Sequence, residues 1–187
     1  MDPIRNDERL AELVAEHGEL AVEPAEDEFE RFVVSIVNQQ LSTQSAAAIR
    51  ERLFDRFEVT PAAMLAADED ALRDVGLSSQ KVSYVRNVAE AFQTDDLTRD
   101  GMAHLSDADV VARLTEIRGV GDWTAKMYLI FVLGREDVFP VEDLGIRKAM
   151  AELYGIDADD RSAMVERAEA WRPYRSIASR YLWRAVD

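Results

Sequence analysis

The chain has 187 residues, 48% of them hydrophobic, and this fits one folded domain or two closely packed lobes rather than a disordered chain. It has no cysteine, which excludes disulfides, cysteine-ligated zinc and a cysteine-held iron–sulfur cluster. The N-terminal sequence MDPIRNDERL lacks the features of a signal peptide, and no apolar run approaches the roughly 18 residues of a membrane span. We therefore expect a soluble cytoplasmic protein without membrane contact.

The chain is strongly acidic, because 37 Asp and Glu residues stand against 22 Lys and Arg residues, giving a formal net charge of −15. One interpretation is an ordinary acidic enzyme that avoids polyanions. The other is adaptation to high salt, where a dense carboxylate surface keeps a protein soluble and ions screen its repulsion. The acidic residues are spread along the whole chain rather than gathered in a tail, which favours a halophilic prokaryotic source.

The hydrophobic spacing predicts helices along nearly the whole chain. The first predicted helix contains Leu10, Leu13 and Val14 and ends at Gly18, and the second runs from residue 29 to near 40. The third is capped by Ser42 or Thr43, and its predicted apolar face includes Ala47, Phe54 and Phe57. A short helix then begins at Thr60 and Pro61, and another is capped by Ser78 or Ser79. In the second half they are a helix after Ser106 and helices near residues 122–133, 143–154, 161–170 and 175–184. The segments VVSIV and MYLIFVL could be buried strands, but each lies inside a longer helical pattern, so we predict an all-α fold.

The segment LTEIRGVGDWTA, residues 114–125, predicts a helix, a very tight turn and a second helix in immediate succession. Gly119 and Gly121 permit the positive φ of such a turn and leave the backbone amides open to an anion. The first amides of a helix lack intrahelical partners and therefore act as anion donors. The segment predicts a clamp for one nucleic-acid phosphate at Gly119, Gly121 and Thr124; the alternative is merely a sharp corner between two helices.

About twenty residues further on, DVFPVEDLGIRKA (137–149) places a Pro-x-x-Asp sequence at the start of a helix. This pairing resembles the helix-hairpin-helix (HhH-GPD) DNA glycosylase superfamily. Three more segments are similar to parts of that family and occur in the same order: the base-flipping segment NQQLSTQSAAAI (38–49), the helix start VGLSSQKVSYV (75–85) and the C-terminal signature WRPYRSIASRYLW (171–183). Within the superfamily the chain most resembles the DNA-3-methyladenine glycosylase II branch, without the N-terminal sheet domain of its larger members.

The resemblance implies one glycosylase domain with two helical lobes and a DNA-facing cleft between them. The central lobe is expected at about residues 40–122, and the second lobe at about residues 1–39 together with 123–187.

The resemblance also makes Asp143 the catalytic aspartate. Hydrolysis of an N-glycosidic bond develops positive charge on the deoxyribose in an oxocarbenium-like transition state. A fixed carboxylate stabilises that charge, or activates the attacking water. An alkylated purine already carries a positive charge and leaves readily, so little help from a general acid is needed. From its position alone Asp143 is better explained as a helix N-cap, and the two roles are compatible.

Members of the superfamily that also cut the DNA strand carry a lysine two residues after the second glycine, where this chain has Trp123. Tryptophan cannot form a Schiff base but stacks against an extruded base, so we predict hydrolysis without strand cleavage. Lys126 lies three residues later and does not match that lysine. The resemblance places the base pocket at Trp123, at Met127 with the adjacent Tyr128, and at Trp183, for which core packing is the alternative.

The resemblance further implies that Gln40 is the wedge that fills the space of the flipped base, or Leu41 if the register differs. It also implies a monovalent cation, Na⁺ or K⁺, held at the hairpin by the backbone carbonyls of Thr115, Ile117 and Val120. No other cofactor is expected.

The sequence thus predicts a monomeric, nucleoid-associated enzyme of base excision repair that acts on double-stranded DNA containing a damaged base. It would flip an alkylated purine of the 3-methyladenine type, hydrolyse its glycosidic bond and leave an abasic site. One alternative is a glycosylase for deaminated, mismatched or oxidised bases on the same scaffold, and the other is a non-catalytic helix-hairpin-helix module that binds DNA. Asp143, Trp123 and the segment 38–42 together argue against the module, because binding alone needs none of them.

Overall fold

The computed structural model describes residues 2–186, and within that range all regular secondary structure is helical. The first nine helices are α1 (Asp2–Arg5), α2 (Glu8–His17), α3 (Glu28–Asn38), α4 (Thr43–Arg56), α5 (Pro61–Ala66), α6 (Glu69–Asp74), α7 (Ser79–Thr94), α8 (Arg99–Met102) and α9 (Asp107–Thr115). They are followed by α10 (Asp122–Phe131), α11 (Leu144–Tyr154), α12 (Arg161–Ala168), a 3-10 turn (Glu169–Trp171) and α13 (Arg175–Arg184). The predicted all-α fold is confirmed. The candidate strand segment VVSIV lies in α3, and MYLIFVL lies in the second half of α10 and the turn after it.

The helix starts are set by local capping, as the sequence predicts. Ser42, Thr60, Ser78, Ser106 and Asp143 are each an N-cap whose side-chain oxygen accepts a hydrogen bond from the amide three residues later. The three helices that the pattern missed, α1, α6 and α8, have four to six residues each. Such helices are too short to display a helical hydrophobic period.

One part of the predicted apolar face of α4 is wrong. Ala47 is exposed, and Phe54 is 36% exposed, whereas Ala46, Ile49 and Leu53 are buried. Positions three and four apart define the buried stripe of a helix, and residues directly beside the stripe fall outside it.

The chain divides into two structural units. The terminal unit combines the chain up to Pro24 with the chain from Leu129 onward, and the central unit runs from Ala25 to Tyr128. The boundary before the central unit lies earlier than the predicted residue 40, because α3 packs on α4 and α7. In the same unit α5 and α6 also pack on α7. No helix within residues 2–186 has the combination of length and apolarity needed to cross a membrane.

The core of the terminal unit is closed around the buried carboxylate of Asp7, the N-cap of α2. Its oxygens accept hydrogen bonds from the Leu10 amide, the Tyr154 hydroxyl (2.9 Å) and the Trp171 indole (2.8 Å), and it also pairs with Arg167. Burial raises the pKa of the Asp7 carboxyl, but the bonds from Trp171, Leu10 and Tyr154 and the charge of Arg167 together hold this pKa below its usual value. Asp7 therefore links the N-terminal helices to the C-terminal part of this unit.

We predict that Asp7→Asn lowers the free energy of unfolding by about 2–4 kcal/mol, because it leaves Arg167 beside a neutral, buried amide. A group whose pKa is lowered by folding stabilises the fold above its unfolded pKa, near 4, and this contribution is lost as the pH falls further. Denaturant unfolding from neutral pH down to acid should therefore show a difference between the two proteins that is largest at neutral pH and shrinks as the pH falls below about 4.

Glu19→Gln is the matched control, since Glu19 pairs with Arg5 on the surface, where both side chains are more than half exposed. It should change stability by no more than about 0.5 kcal/mol. An Asp7→Asn protein as stable as the Glu19→Gln protein would show that the buried carboxylate does not hold this unit together.

Candidate functional site

The carboxylate of Asp143 is fixed at the start of α11 in the terminal unit. Its backbone N–H donates to the carbonyl of Pro140 at 2.9 Å, which closes the turn that leads into the helix. Its Oδ1 accepts a hydrogen bond from the Ile146 amide at 3.0 Å, so Asp143 is the N-cap that its position predicts. The side chain is half-buried, and the buried Ile146 anchors the same helical turn in the core.

Trp183 supplies a second hydrogen bond to the same carboxylate. Its indole Nε1–H donates to Oδ1 of Asp143 at 2.9 Å, and its ring stacks on Phe131 with the centroids 5.8 Å apart. Neither alternative for Trp183 included this bond to Asp143, and its place in a base pocket stays a prediction. The two bonds hold Oδ1 of the carboxylate between the first turn of α11 and the indole of Trp183.

Gly145 makes room for this arrangement. A Cβ at position 145 would lie 3.1 Å from both Oδ1 of Asp143 and Cδ1 of Trp183, closer than ordinary van der Waals contact. The sequence Asp-Leu-Gly thus combines the carboxylate, a strongly exposed Leu144 and the residue that lets the indole approach. The role of Gly145 could not be read from the sequence, because its neighbour Trp183 is almost forty residues away.

The hairpin between α9 and α10 belongs to the central unit, and its two glycines have different roles. Gly119 has a φ of +104°, and a Cβ there would lie 2.2 Å from the ring of Tyr84, so both its conformation and its packing require glycine. A Cβ at Gly121 would meet nothing within 4 Å. Gly121 also lacks the positive φ that was expected of it, and it leaves the backbone just before α10 open.

Gln39 holds the hairpin from the side of α3, and this contact was not predicted. Its Nε2 donates to the carbonyl of Gly119 and to Oγ1 of Thr124, both at 2.9 Å. Thr124 is only 2% exposed, and its hydroxyl is turned inward toward Gln39. The hydroxyl of Thr124 therefore supports the hairpin from within. The predicted phosphate contact at Thr124 would come from its backbone amide and stays a prediction.

The predicted wedge follows Gln39 directly. Gln40 is exposed and has a φ of +55°, a left-handed conformation that costs most non-glycine residues about 1–2 kcal/mol. Leu41, the alternative wedge, is 39% exposed. Both side chains border a cavity of about 490 Å³ in the central unit. The cavity is also lined by Gln39, Ile49, Gly76, Ser78, Gln80, Lys81, Tyr84, Gly119, Val120 and Gly121.

The aromatic residues of α10 divide into two groups. Trp123, in the first turn, is half-buried, whereas Met127 and Tyr128 are buried. The Tyr128 hydroxyl donates to the carbonyl of Leu97, and its ring lies 5.2 Å from that of Phe32. Tyr128 is thus a core residue, and its assignment to the base pocket is corrected: its one polar atom is bonded inside the central unit.

The predicted cation ligands are carbonyls in and around the hairpin turn. Thr115 is the last residue of α9, where backbone carbonyls lack helical partners, and the carbonyl of Ile117 accepts the Val120 N–H at 3.0 Å. Carbonyl oxygens can accept more than one partner, and neutral oxygens of this kind are the ligands that a monovalent cation would require here. Within residues 2–186 no three His, Asp or Glu side chains come together as a metal site.

Comparison with known proteins gives a consistent result. A putative DNA-3-methyladenine glycosylase of Bacillus subtilis is 30% identical over 162 residues, which cover 81% of this chain and 56% of the relative, so the chain spans little more than half of that protein. DNA-3-methyladenine glycosylase 1 of Schizosaccharomyces pombe is 30% identical over 96% of this chain and 81% of its own length.

A solved structure extends the similarity to the fold. The S. pombe 3-methyladenine DNA glycosylase in complex with abasic DNA has a TM-score of 0.87 at 28% identity, over 98% of this chain and 94% of that one. The family model of HhH-GPD superfamily base excision DNA repair proteins matches residues 33–173, which include Asp143, the hairpin and the segment around Gln40. The chain therefore belongs to the HhH-GPD superfamily of base excision DNA repair proteins.

Proposed function

We propose that this protein is a DNA glycosylase that removes alkylated purines from double-stranded DNA by hydrolysis and leaves an abasic site. The observation that carries the proposal is the carboxylate of Asp143, held on Oδ1 by the Ile146 amide and the Trp183 indole. The names of the relatives, DNA-3-methyladenine glycosylases, support the choice of alkylated purines as substrates.

The chemistry asks for a negative charge that is in place before the reaction begins. As the glycosidic bond breaks, positive charge develops on the deoxyribose, and a carboxylate that needs no reorientation stabilises it most effectively. Asp143 fits this requirement because two donors hold its Oδ1 in place. A purine alkylated at N3 or N7 is itself cationic and departs as a neutral base, so the reaction needs no strong general acid.

Hydrolysis rather than strand cleavage follows from the residue in the first turn of α10. A lyase forms a Schiff base through an amine. Trp123 has none, and its half-buried ring offers a stacking face for an extruded, electron-poor base.

The hairpin supplies a contact to the DNA backbone in this proposal. The open backbone at Gly121 and the first amides of α10 form an anion-binding helix start, and Gly119 allows the tight turn before it. A monovalent cation on the carbonyls of Thr115, Ile117 and Val120 would add positive charge beside the phosphate. The cation, a monomeric state, a cytoplasmic location and a high-salt source stay predictions.

We predict that duplexes with one 7-methylguanine or 3-methyladenine lose the alkylated base when the protein is added. The strand should stay intact until alkali cleaves the abasic site, and borohydride should trap no covalent adduct with the protein. Parallel duplexes with uracil, hypoxanthine, a mismatch or 8-oxoguanine test the alternative substrates. Gel analysis with and without alkali measures both properties in one experiment.

Preferred release of a deaminated, mismatched or oxidised base would show that the protein is a DNA glycosylase but that alkylated purines are not its main substrates. Binding to DNA without release of any base would reduce the protein to a DNA-binding module. A borohydride adduct that disappears in a Lys126→Ala protein would show that Lys126 is the nucleophile of a lyase.

We predict that Asp143→Asn lowers single-turnover excision by at least about 100-fold, the order expected for loss of a preorganised charge. Asparagine keeps an oxygen for the Ile146 amide, so folding and DNA binding should be retained. The matched control is Glu142→Gln, which removes the neighbouring carboxylate and should leave excision within about threefold of wild type. A folded Asp143→Asn protein with near-normal excision would remove Asp143 from the mechanism.

A further inference from the structure

Gln39 joins the segment of the predicted wedge to the hairpin through two hydrogen bonds. Its amide nitrogen has two hydrogens, and the two acceptors are the carbonyl of Gly119, in the turn, and the hydroxyl of Thr124, in the first turn of α10. One side chain therefore bridges two successive parts of the hairpin from a position eighty residues earlier in the chain.

The backbone around Gln39 is held firmly on the other side. The Gln39 amide donates to the carbonyl of Ile36, the Leu41 amide donates to the carbonyl of Asn38, and Nζ of Lys81 donates to the carbonyl of Val37 at 2.6 Å. These bonds satisfy carbonyls at the C-terminal end of α3, which the helix itself leaves unpaired. Lys81 belongs to α7, so the end of α3 is held between α7 and the hairpin.

Gln40 then follows in its left-handed conformation. A non-glycine residue keeps such a conformation when its surroundings fix the backbone on both sides, and strain of this kind is typical of functional segments. On the N-terminal side of Gln40 this neighbour is Gln39, whose side chain and backbone are both hydrogen-bonded.

We propose that Gln39 is a positioning residue that makes the Gln40 wedge and the hairpin one rigid element. The inference rests on the proposed function, which gives the hairpin its contact to DNA, and on the wedge role that the family resemblance implies for Gln40. When the Gln40 side chain inserts between the bases, the resistance of the base stack acts to displace it. A rigid link to the hairpin, which binds the phosphate, would hold it in place. Without the hydrogen bonds from Gln39, the Gln40 segment would be displaced during insertion, whereas the hairpin would still bind the DNA phosphate.

This model predicts a defect that depends on how firmly base pairing holds the damaged base in the duplex. Gln39→Leu keeps the approximate size of the side chain and removes both hydrogens, which leaves two acceptors without their donor. Single-turnover excision of the alkylated purine that wild type removes fastest should fall about tenfold or more in a fully paired duplex. With the same lesion opposite an abasic site, where less pairing opposes extrusion, the loss should be threefold or less.

Asn87→Leu is the matched control, because Asn87 supports the same hairpin without touching the wedge segment: its Nδ2 donates to the carbonyl of Arg118 at 2.9 Å. Any loss in this protein should be the same for paired and unpaired lesions. Thr124 offers a second route to the link if Gln39→Leu does not fold. Thr124→Val removes the acceptor at constant shape and should lose more excision on the paired lesion than on the lesion opposite an abasic site. Thr124→Ser keeps the hydroxyl and should retain excision on both.

The outcomes separate the inference from the proposed function. If wild type excises the lesion and Gln39→Leu matches it, or loses activity equally on paired and unpaired lesions as Asn87→Leu does, Gln39 does not act through the wedge. If wild type releases no base from any duplex, the proposed function itself is wrong. A Thr124→Val protein that excises both substrates at wild-type rates would also overturn the inference.

Discussion

The carboxylate of Asp143 is held by one donor from its own helix and one from the C-terminal helix. The Ile146 amide belongs to the first turn of α11, and the Trp183 indole comes from α13, forty residues along the chain. Helices α11 and α13 pack on each other, and Gly145 sits where they need close approach. The position of the charge therefore depends on how these two helices are packed, and the stacking of Trp183 on Phe131 restrains the indole further.

In the proposed function the central unit has a different task, which is to present the helix start at Gly121 and the predicted wedge at Gln40 in fixed positions. Gly119 closes the turn against Tyr84, and Gln39 ties the turn to the segment that carries Gln40. The polar contacts that do this lie inside the unit, where Thr124 is buried. Chemistry at Asp143 and presentation of the DNA backbone are thus supported by separate sets of contacts in this proposal.

The features that the sequence predicted are local ones. A cap such as Ser78 or Asp143 acts over three residues, and the GVG turn acts over three, so their patterns stand side by side in the chain. The features that it missed join distant residues: Trp183 to Asp143, and Gln39 to Thr124. The spacing of hydrophobic residues along a helix shows only which face of the helix a residue lies on. It does not show whether that face lines a ligand pocket or packs in the protein core. This is why Tyr128, predicted for a pocket, lies instead against Phe32.

The central claim is that Asp143 stabilises positive charge on the sugar, and binding of charged and neutral sugar analogues tests it without any dependence on the lesion. A duplex with a protonated pyrrolidine ring at the abasic position mimics the cationic transition state, and one with a tetrahydrofuran ring is its neutral counterpart. Wild type should bind the pyrrolidine duplex at least about 100-fold more tightly, as expected of a transition-state analogue. Asp143→Asn should lose this preference, and Trp183→Phe, which keeps a stacking ring but no N–H, should reduce it. Equal preference in wild type and Asp143→Asn would contradict the account.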